Sequence, residues 1–392
     1  MTEIHKITTL LEIETGGKSY KAHKYSLDSD TRPSVDFSSD NNTNTWLKIQ
    51  ETTPHKTYVN LANYAREVAD LNDPIFTYFL DGSRHVYKVD HMGYLASGTS
   101  VRSEIFPIVA GQIGVGCCRR ENRKLFPELF LGEIVLSVPD KADADGRGVG
   151  FFPALAAKLK NNSLNLTIDA VIPYGTSSVK SDKDYEDRAT ATIQDRMIEK
   201  EKEAVVKLVQ SGKLDQNNYL IKDGSLEYRP PKVKGQDKRA LIKFRNNYAY
   251  VLGLSKHFNP AVCLDINKKP NPGFIADLPL YHRTPVACFE NKEFFGDMKF
   301  AVWYIRLRPK EKTRTPFDGI IKVEKMLTTS EEQEFGMDSE LVDTLSAHII
   351  NERNPVCYGD DLRWANHIYP IYMTERYVKS KYISAESFLQ LF

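Results

Sequence analysis

The hydrophobic pattern of the chain predicts strands first and alternating helices and strands afterwards. Short runs of apolar, β-branched and aromatic residues are typical of buried strands, and they lie at 75–80, 85–89, 105–118, 131–138, 164–172, 218–222, 248–254 and 300–307. The segment 187–210 is charged, lacks Pro and Gly, and has apolar residues at helical spacing before Gly212, which predicts an amphipathic helix. Further helices are predicted at 61–71, 340–350 and 361–379. This order predicts an α/β fold with a mixed central sheet flanked by helices.

Residues 1–74 differ from the rest of the chain and are predicted to form an N-terminal extension to a domain at 75–392. They include a polar stretch at 38–45 and many Thr, Asn and Asp residues. The apolar pairs Leu10-Leu11 and Trp46-Leu47 suit a partner-binding surface. Packing of these pairs against the domain is the alternative.

Composition and charge restrict the classes of function. Of the 392 residues, 41% are hydrophobic, and 53 basic against 52 acidic side chains leave a net charge of +1. Any affinity for nucleic acid must therefore come from local clusters of charge. Five cysteines without a CxxC pair argue against a disulfide framework or a structural zinc site. The absence of a signal-type or membrane-spanning apolar segment and of a GxxxxGK[ST] motif predicts a cytoplasmic protein, without membrane contact, that does not itself hydrolyse ATP.

Two Asp-Gly-Ser motifs follow apolar strand segments, at Asp81-Gly-Ser83 and Asp223-Gly-Ser225. Glycine allows a sharp turn after each aspartate, and ligand sites in open α/β sheets gather at strand ends. Because Mg²⁺ and Mn²⁺ prefer hard oxygen ligands, two such carboxylates suit a divalent metal site. The alternative is that both motifs are turn sequences only.

Two later segments supply further candidate carboxylates. On the 187–210 helix, Glu199 and Glu203 share a face with Asp195, whereas Glu201 is expected to point elsewhere. In the last predicted helix, Glu375 follows Pro370, which indicates either a helix start or a kink.

The order and approximate spacing of these pieces resemble the NurA nuclease family. The matching segments are Asp81-Gly-Ser83, Arg196-Met-Ile-Glu199, Asp223-Gly-Ser-Leu226, Gly253-Leu-Ser-Lys256 and Tyr369-Pro370 leading to Glu375, so that the resemblance covers roughly residues 75–390. It implies an RNase H-like fold and a two-metal DNA nuclease in which Asp81, Glu199, Asp223 and Glu375 bind two Mn²⁺ or Mg²⁺ ions. In such an enzyme Lys256 is a candidate to contact the scissile phosphate or the developing charge, and the alternative is a surface lysine after a strand.

The same resemblance implies a homodimer that works with a HerA-type hexameric ATPase, in DNA repair or in defence against phage DNA. This sequence departs from the family pattern at two points. Glu375 stands where the family has a terminal histidine, which leaves His367 as an alternative ligand. The longer spacing between the helix and the second Asp-Gly-Ser motif leaves Glu203 as an alternative to Glu199.

Basic residues cluster after the second motif. Between Lys222 and Arg245, eight basic residues are opposed by three acidic ones, which suits contact with a phosphodiester backbone without base specificity. The predicted DNA contacts are Lys232, Lys234, Lys238 and Arg239. A second cluster lies at 306–314. Two other functions stay open, namely a catalytically silent DNA-binding or scaffold subunit of this fold and an Argonaute-like PIWI module, for which the chain is short.

Overall fold

The protein forms two compact units, each built from separate segments of the chain. The computed structural model describes residues 48–95, 102–143, 148–162, 168–177, 182–226, 238–264, 269–290, 298–355 and 364–390. The first unit contains the chain up to Thr77 together with Leu214–Tyr372, and the second contains Tyr78–Lys213 together with the chain from Met373 onward. The described part of the predicted extension, from residue 48, therefore belongs to the first unit. Leu10-Leu11 and Trp46-Leu47 lie outside the described residues.

Strands and helices alternate along most of the described chain. The strands are β1 (Lys48–Ile49), β2 (Val59–Asn60), β3 (Phe76–Leu95), β4 (Arg102–Glu121), β5 (Lys124–Pro139), β6 (Ala170–Tyr174), β7 (Tyr219–Asp223), β8 (Val251–Ser255), β9 (His282–Arg283), β10 (Ala287–Glu290), β11 (Lys299–Arg306) and β12 (Ile320–Met326). The helices are α1 (Ala62–Leu71), α2 (Phe151–Asn162), α3 (Asp182–Gln210), α4 (Lys238–Asn246), α5 (Pro272–Ala276), α6 (Ser330–Phe335), α7 (Ser339–Asn351), α8 (Tyr369–Lys379) and α9 (Ala385–Leu389).

The second unit is built on a sheet of long strands in the order β3-β4-β5-β6. The first three are antiparallel and β6 is parallel to β5. Glycines of β4 let other elements approach closely, since a Cβ atom at Gly111 would lie 2.8 Å from Ile193 of α3 and one at Gly116 would lie 2.6 Å from Val378 of α8. Because side chains of a strand alternate between faces, α3 covers one face of the sheet and the C-terminal segment covers the other.

The first unit has a mixed sheet in the order β1-β10-β11-β12-β8-β7, in which only β7 and β8 form a parallel pair among the neighbours described. Trp303 of β11 is fully buried, and its indole N–H donates to Ser346 of α7 over 2.9 Å. Parallel and antiparallel neighbours occur in both units, and helices flank the strands. The predicted α/β class with a mixed sheet is confirmed.

A buried ion pair fastens the start of the described chain into the first unit. Arg283 and Glu51 are both completely buried and lie 3.0 Å apart, and Ser339 at the start of α7 donates to the same Glu51 oxygen. The guanidinium of Arg283 also bonds to Asp343 of α7. Residues around Glu51 are therefore part of this unit's core.

Helix α8 begins at Tyr369, so Pro370 stands in its first turn, where a missing N–H costs no hydrogen bond. Of the two alternatives for this proline, the helix start is the correct one. No helix within the described ranges has both the length and the apolar character needed to cross a bilayer.

Candidate active site

The first Asp-Gly-Ser motif lies inside a strand and not at its end. The predicted strands at 75–80 and 85–89 are one strand, β3, in which Asp81 pairs with Gly116 and Gly82 with Val115 of β4. The expected turn after Asp81 is wrong, because β4 continues to pair with the chain through the motif. Asp81 is 5% exposed. It shares one face of β3 with Ser83 and His85 because alternate residues of a strand point the same way.

The C-terminal segment covers the face of β3 that carries Asp81. The ring of Tyr382 lies 4.7 Å from that of His85, and a Cβ atom at Gly114 would lie 3.2 Å from the Tyr382 hydroxyl oxygen. Burial raises the pKa of Tyr382 to about 12, and the negative charge of Asp81 acts in the same direction. Tyr382 is therefore a neutral phenol close to the Asp81 carboxylate, a neighbour that the sequence pattern did not indicate.

Helix α3 covers the opposite face of β3. Arg84 donates to Gln194 over 2.5 Å, Lys88 pairs with Glu186 at 2.7 Å, and the Glu201 carboxylate lies over Gly82. Glu201 is only 4% exposed. Since Gly82 and Asp81 face opposite sides of the strand, the carboxylates of Asp81 and Glu201 lie on opposite faces of the sheet.

Glu199, the predicted helix ligand, and Glu203, its alternative, both point into solvent. The Glu199 side chain is 56% exposed and pairs with Lys202 at 2.8 Å. The Glu203 side chain is 41% exposed and contacts Lys200 and Lys207, and the hydrogen bond from Lys207 is the largest influence lowering its pKa. Glu201 points in another direction than Glu199 and Glu203, as predicted, and that direction is toward the strands. The helical repeat related the three glutamates to one another but could not show which of them faced the strands.

The second Asp-Gly-Ser motif does form a turn at the end of a strand, as predicted. Asp223 is the last residue of β7, Gly224 has φ +85°, and its N–H donates to Leu254 of β8 over 2.9 Å. Positive φ is the conformation for which glycine is suited. A Cβ atom at Gly253 would lie 2.8 Å from both Gly224 and Leu226. The glycine of the Gly253-Leu-Ser-Lys256 segment therefore provides the space into which the Asp223-Gly-Ser-Leu226 turn packs.

A buried carboxylate from β12 fastens this turn. Glu324 is completely buried and accepts hydrogen bonds from the Ser225 hydroxyl and the Leu226 N–H, both at 2.7 Å. Burial alone would raise the pKa of Glu324, but the nearby Lys322 ammonium and these hydrogen bonds outweigh it and lower the pKa. Sequence analysis missed Glu324, because only the pairing of β12 with β8 brings it beside the turn.

Asp223 and Lys256 form an ion pair at this edge. The Lys256 ammonium lies 2.9 Å from Asp223 Oδ2, and the two side chains are 6% and 25% exposed. The Lys222 ammonium donates to the Asp223 carbonyl over 2.6 Å. Both residues follow or end parallel strands, β7 and β8, so their closeness results directly from strand pairing.

The remaining predicted residues lie in several environments. Glu375 is paired with Lys379 one helical turn later at 2.6 Å, and its side chain is 21% exposed. His367 is 4% exposed beside Tyr372 in the first unit. Lys232 and Lys234 lie outside the described residues, as does the side chain of Lys238 at the start of α4, whereas Arg239 is exposed.

The second basic cluster is exposed at Lys310, Lys312 and Arg314, whereas its first member, Arg306, is not. Arg306 is completely buried and donates to four backbone carbonyls, those of Ala276, Leu278, Pro316 and Asp318. Burial lowers its pKa to about 10. Arg306 therefore stabilises loops of the first unit and does not face a nucleic acid.

A shared metal needs several ligands around one point. Among the residues that the structure describes, no three His, Cys, Asp or Glu side chains are grouped in this way. Asp81 and Glu201 face apart, and Asp223 and Glu375 each contact a lysine. Within neither unit do the described side chains form a two-metal centre. The roles of Asp81, Glu199, Asp223 and Glu375 as metal ligands stay predictions.

Comparisons with known proteins include a distant likeness to a solved structure. No protein-family model matches the chain, and no curated protein sequence is similar to it. The crystal structure of the NurA nuclease from Sulfolobus solfataricus is similar over 84% of this chain and 89% of that chain, with a TM-score of 0.42 and 12% sequence identity. A likeness this distant does not show that the chain belongs to that family.

Proposed function

We propose that this chain is a DNA nuclease that hydrolyses phosphodiester bonds and depends on Mn²⁺ or Mg²⁺. The observation that carries the proposal is the Asp223–Lys256 pair at the carboxyl ends of two neighbouring parallel strands. Ligand sites of α/β sheets gather at this edge. A carboxylate supplies hard oxygen, and an ammonium group suits the negative charge of a phosphate.

Asp81 and Glu201 of the second unit are two further carboxylates, 5% and 4% exposed. The order of the sequence motifs, with its resemblance to NurA nucleases and their RNase H-like fold, is the second line of support. In the proposed reaction, Lys256 contacts a phosphate oxygen, and Asp223 orients the Lys256 ammonium group.

The test is digestion of end-labelled linear, nicked and circular DNA with Mg²⁺, Mn²⁺ or EDTA. We expect cleavage with a metal ion and none with EDTA. Asp223→Asn and Asp81→Asn should abolish cleavage, and Glu375→Ala tests the terminal residue separately. Asp277→Asn is a matched control in the first unit, because the Asp277 side chain is 76% exposed and its ion pair with Lys310, at 3.1 Å, lies at the surface. Full activity of Asp223→Ala would reject the proposal.

The contacts of the carboxylates favour a second candidate, a catalytically silent DNA-binding or scaffold subunit. Asp223, Glu375 and Glu199 are each already neutralised by a lysine, namely Lys256, Lys379 and Lys202. A protein of this kind would bind DNA in the digestion assay without shortening it. It would also bind equally well with EDTA.

DNA binding is proposed to be electrostatic and independent of sequence. Neutralising Lys232, Lys234, Lys238 and Arg239 together should weaken binding about equally for all sequences and flatten its salt dependence. An unchanged salt slope would show that this loop does not contact DNA.

We further propose a homodimer that works with a HerA-like hexameric ATPase in DNA end processing, during repair or in defence against phage. The chain has no nucleotide-binding motif, so processive digestion of duplex DNA requires a separate motor. Light scattering should report about twice the 44.7 kDa mass of one chain. A monomer that digests duplex DNA at full rate without an ATPase would contradict this proposal.

A further inference from the structure

A buried amide continues the strand ladder at the point where Lys256 leaves it. The antiparallel pairing of β8 with β12 runs from Leu252 to Ser255, which pairs with Lys322. Beyond Ser255, the Asn366 side-chain amide donates to the carbonyls of Lys256 and Ile320 over 3.1 and 2.8 Å. The amide oxygen accepts from the Gly319 N–H over 2.5 Å.

These bonds use both the amide NH₂ group of Asn366, as donor, and its amide oxygen, as acceptor. The residue is 8% exposed, so losing its amide would leave buried backbone groups without this partner, which is costly. Asn366 lies in a short 3₁₀ turn, Trp364–Asn366, that comes immediately before the C-terminal helix α8. The last predicted helix, 361–379, was expected to supply a metal ligand. Within the first unit, the same stretch of chain supplies the side-chain amide of Asn366.

Hydrogen bonds to the backbone therefore hold both partners of the Asp223–Lys256 pair in place. On one side, the Gly224 N–H and the buried Glu324 carboxylate fasten the turn after Asp223. On the other side, Asn366 fastens the Lys256 carbonyl. A flexible lysine at a strand end would otherwise move through many rotamers, and each ordered long side chain carries an entropic cost.

We propose that Asn366 is a positioning residue that acts through Lys256, keeping its ammonium group against Asp223 and aimed at a phosphate of the DNA backbone. The role of the ammonium rests on the proposed nuclease function, whereas the effect of Asn366 on the ion pair does not. The turn before α8 thus serves the site by orienting the Lys256 ammonium group.

Kinetics of Asn366→Ala test the positioning role. Small displacements of a positioned group cost up to about 100-fold in rate, so we expect kcat to fall by about 10- to 100-fold with KM nearly unchanged. Ser346→Ala is the control for loss of a buried hydrogen bond in the same unit, since its hydroxyl accepts from Trp303. It should lower the unfolding midpoint but keep kcat. A wild-type kcat for Asn366→Ala would overturn the proposal.

A double-mutant cycle tests the same role without enzyme activity. Lys256→Met and Asp223→Asn, alone and together, give the coupling between the two side chains in urea unfolding. We expect coupling on the order of tenfold in the unfolding equilibrium constant, and a clearly smaller value when the cycle is repeated in the Asn366→Ala background.

The two outcomes separate the proposals. Equal coupling in both backgrounds would overturn the positioning role, even if the protein cleaves DNA. If the wild-type protein cleaves no DNA with Mn²⁺ or Mg²⁺ but the coupling falls, the nuclease proposal fails, while the effect of Asn366 on the ion pair stands.

Discussion

The carboxylate of Glu201 lies directly over the backbone of Gly82, so that a Cβ atom at position 82 would be 2.5 Å from Glu201 Oε1. Gly82 does not have a left-handed φ, so its backbone would accept any residue. The reason for glycine here is the space that the buried glutamate occupies. This contact also shows that the face of α3 that carries Glu201 packs against β3.

Gly82→Ala should therefore destabilise the protein by about 1–3 kcal/mol, the usual cost of overpacking a filled site. In the Glu201→Ala background the same substitution should be neutral, or stabilising by about 0.5–1 kcal/mol, because alanine is ordinarily better than glycine inside a strand. Urea unfolding of the four variants measures both effects. Equal destabilisation in both backgrounds would show that the two groups do not compete for space.

Replacing the α3 glutamates one at a time should separate Glu201 from its neighbours. Glu201→Gln is expected to reduce the proposed nuclease activity by about 100-fold, the loss typical of removing a preorganised electrostatic group. Glu199→Gln and Glu203→Gln remove exposed ion pairs worth about 0.2–1 kcal/mol and should leave activity within about threefold. Cleavage assays at equal protein concentration make the comparison, with Glu203→Gln as the control. A loss confined to Glu199→Gln would support the original sequence prediction instead.

Glu51→Ala should destabilise the first unit by about 3–5 kcal/mol. Removing one partner of a buried ion pair is strongly destabilising, and here it leaves the completely buried Arg283 with Asp343 alone and removes an acceptor of the Ser339 hydroxyl. Glu186→Ala is the matched control, because its pair with Lys88 is about 40% exposed on both sides and should contribute only about 0.2–1 kcal/mol. Thermal and urea unfolding give both values, and similar losses for the two variants would contradict the assignment of Glu51 to the core.

Stability in acid should depend on Glu332. Burial opposes its ionised form, but Lys325 at 2.9 Å and the backbone N–H groups of Thr328 and Thr329 outweigh burial and lower its pKa below 4.5. A lowered pKa in the folded state means that the stabilisation is complete above the unfolded pKa, near 4.5, and is lost as the pH falls further.

Glu332→Gln should therefore lower the unfolding midpoint at pH 7 and reduce the steepness of its decline below about pH 4.5. Glu331→Gln, a neighbour in the same first turn of α6, is the control and should change neither quantity appreciably. Unfolding midpoints measured from pH 7 to pH 2 test this. Parallel curves for wild type and Glu332→Gln would exclude the assigned role.

Periodicity in the sequence was sufficient for some elements, although the 20-residue strand β3 was predicted as two strands. The charged segment at 187–210 is helix α3, which begins at Asp182, and the apolar segment at 300–307 is β11. Local chemistry also placed the turn after Asp223 correctly. These features depend on residues close together in the chain, so a local pattern contains the information that determines them.

The two Asp-Gly-Ser motifs mark the limit of that information. At Gly224 the chain turns with positive φ, whereas at Gly82 the same three residues continue a strand. The difference comes from two distant segments. Strand β4 pairs with β3 without interruption through Gly82, and Glu201 occupies the space above Gly82. In the same way, helical spacing set the relative directions of Glu199, Glu201 and Glu203, but only packing against β3 determined that Glu201 is the buried one. Pairing and packing between distant segments made these choices, because the local conformational preferences of the alternatives are nearly equal.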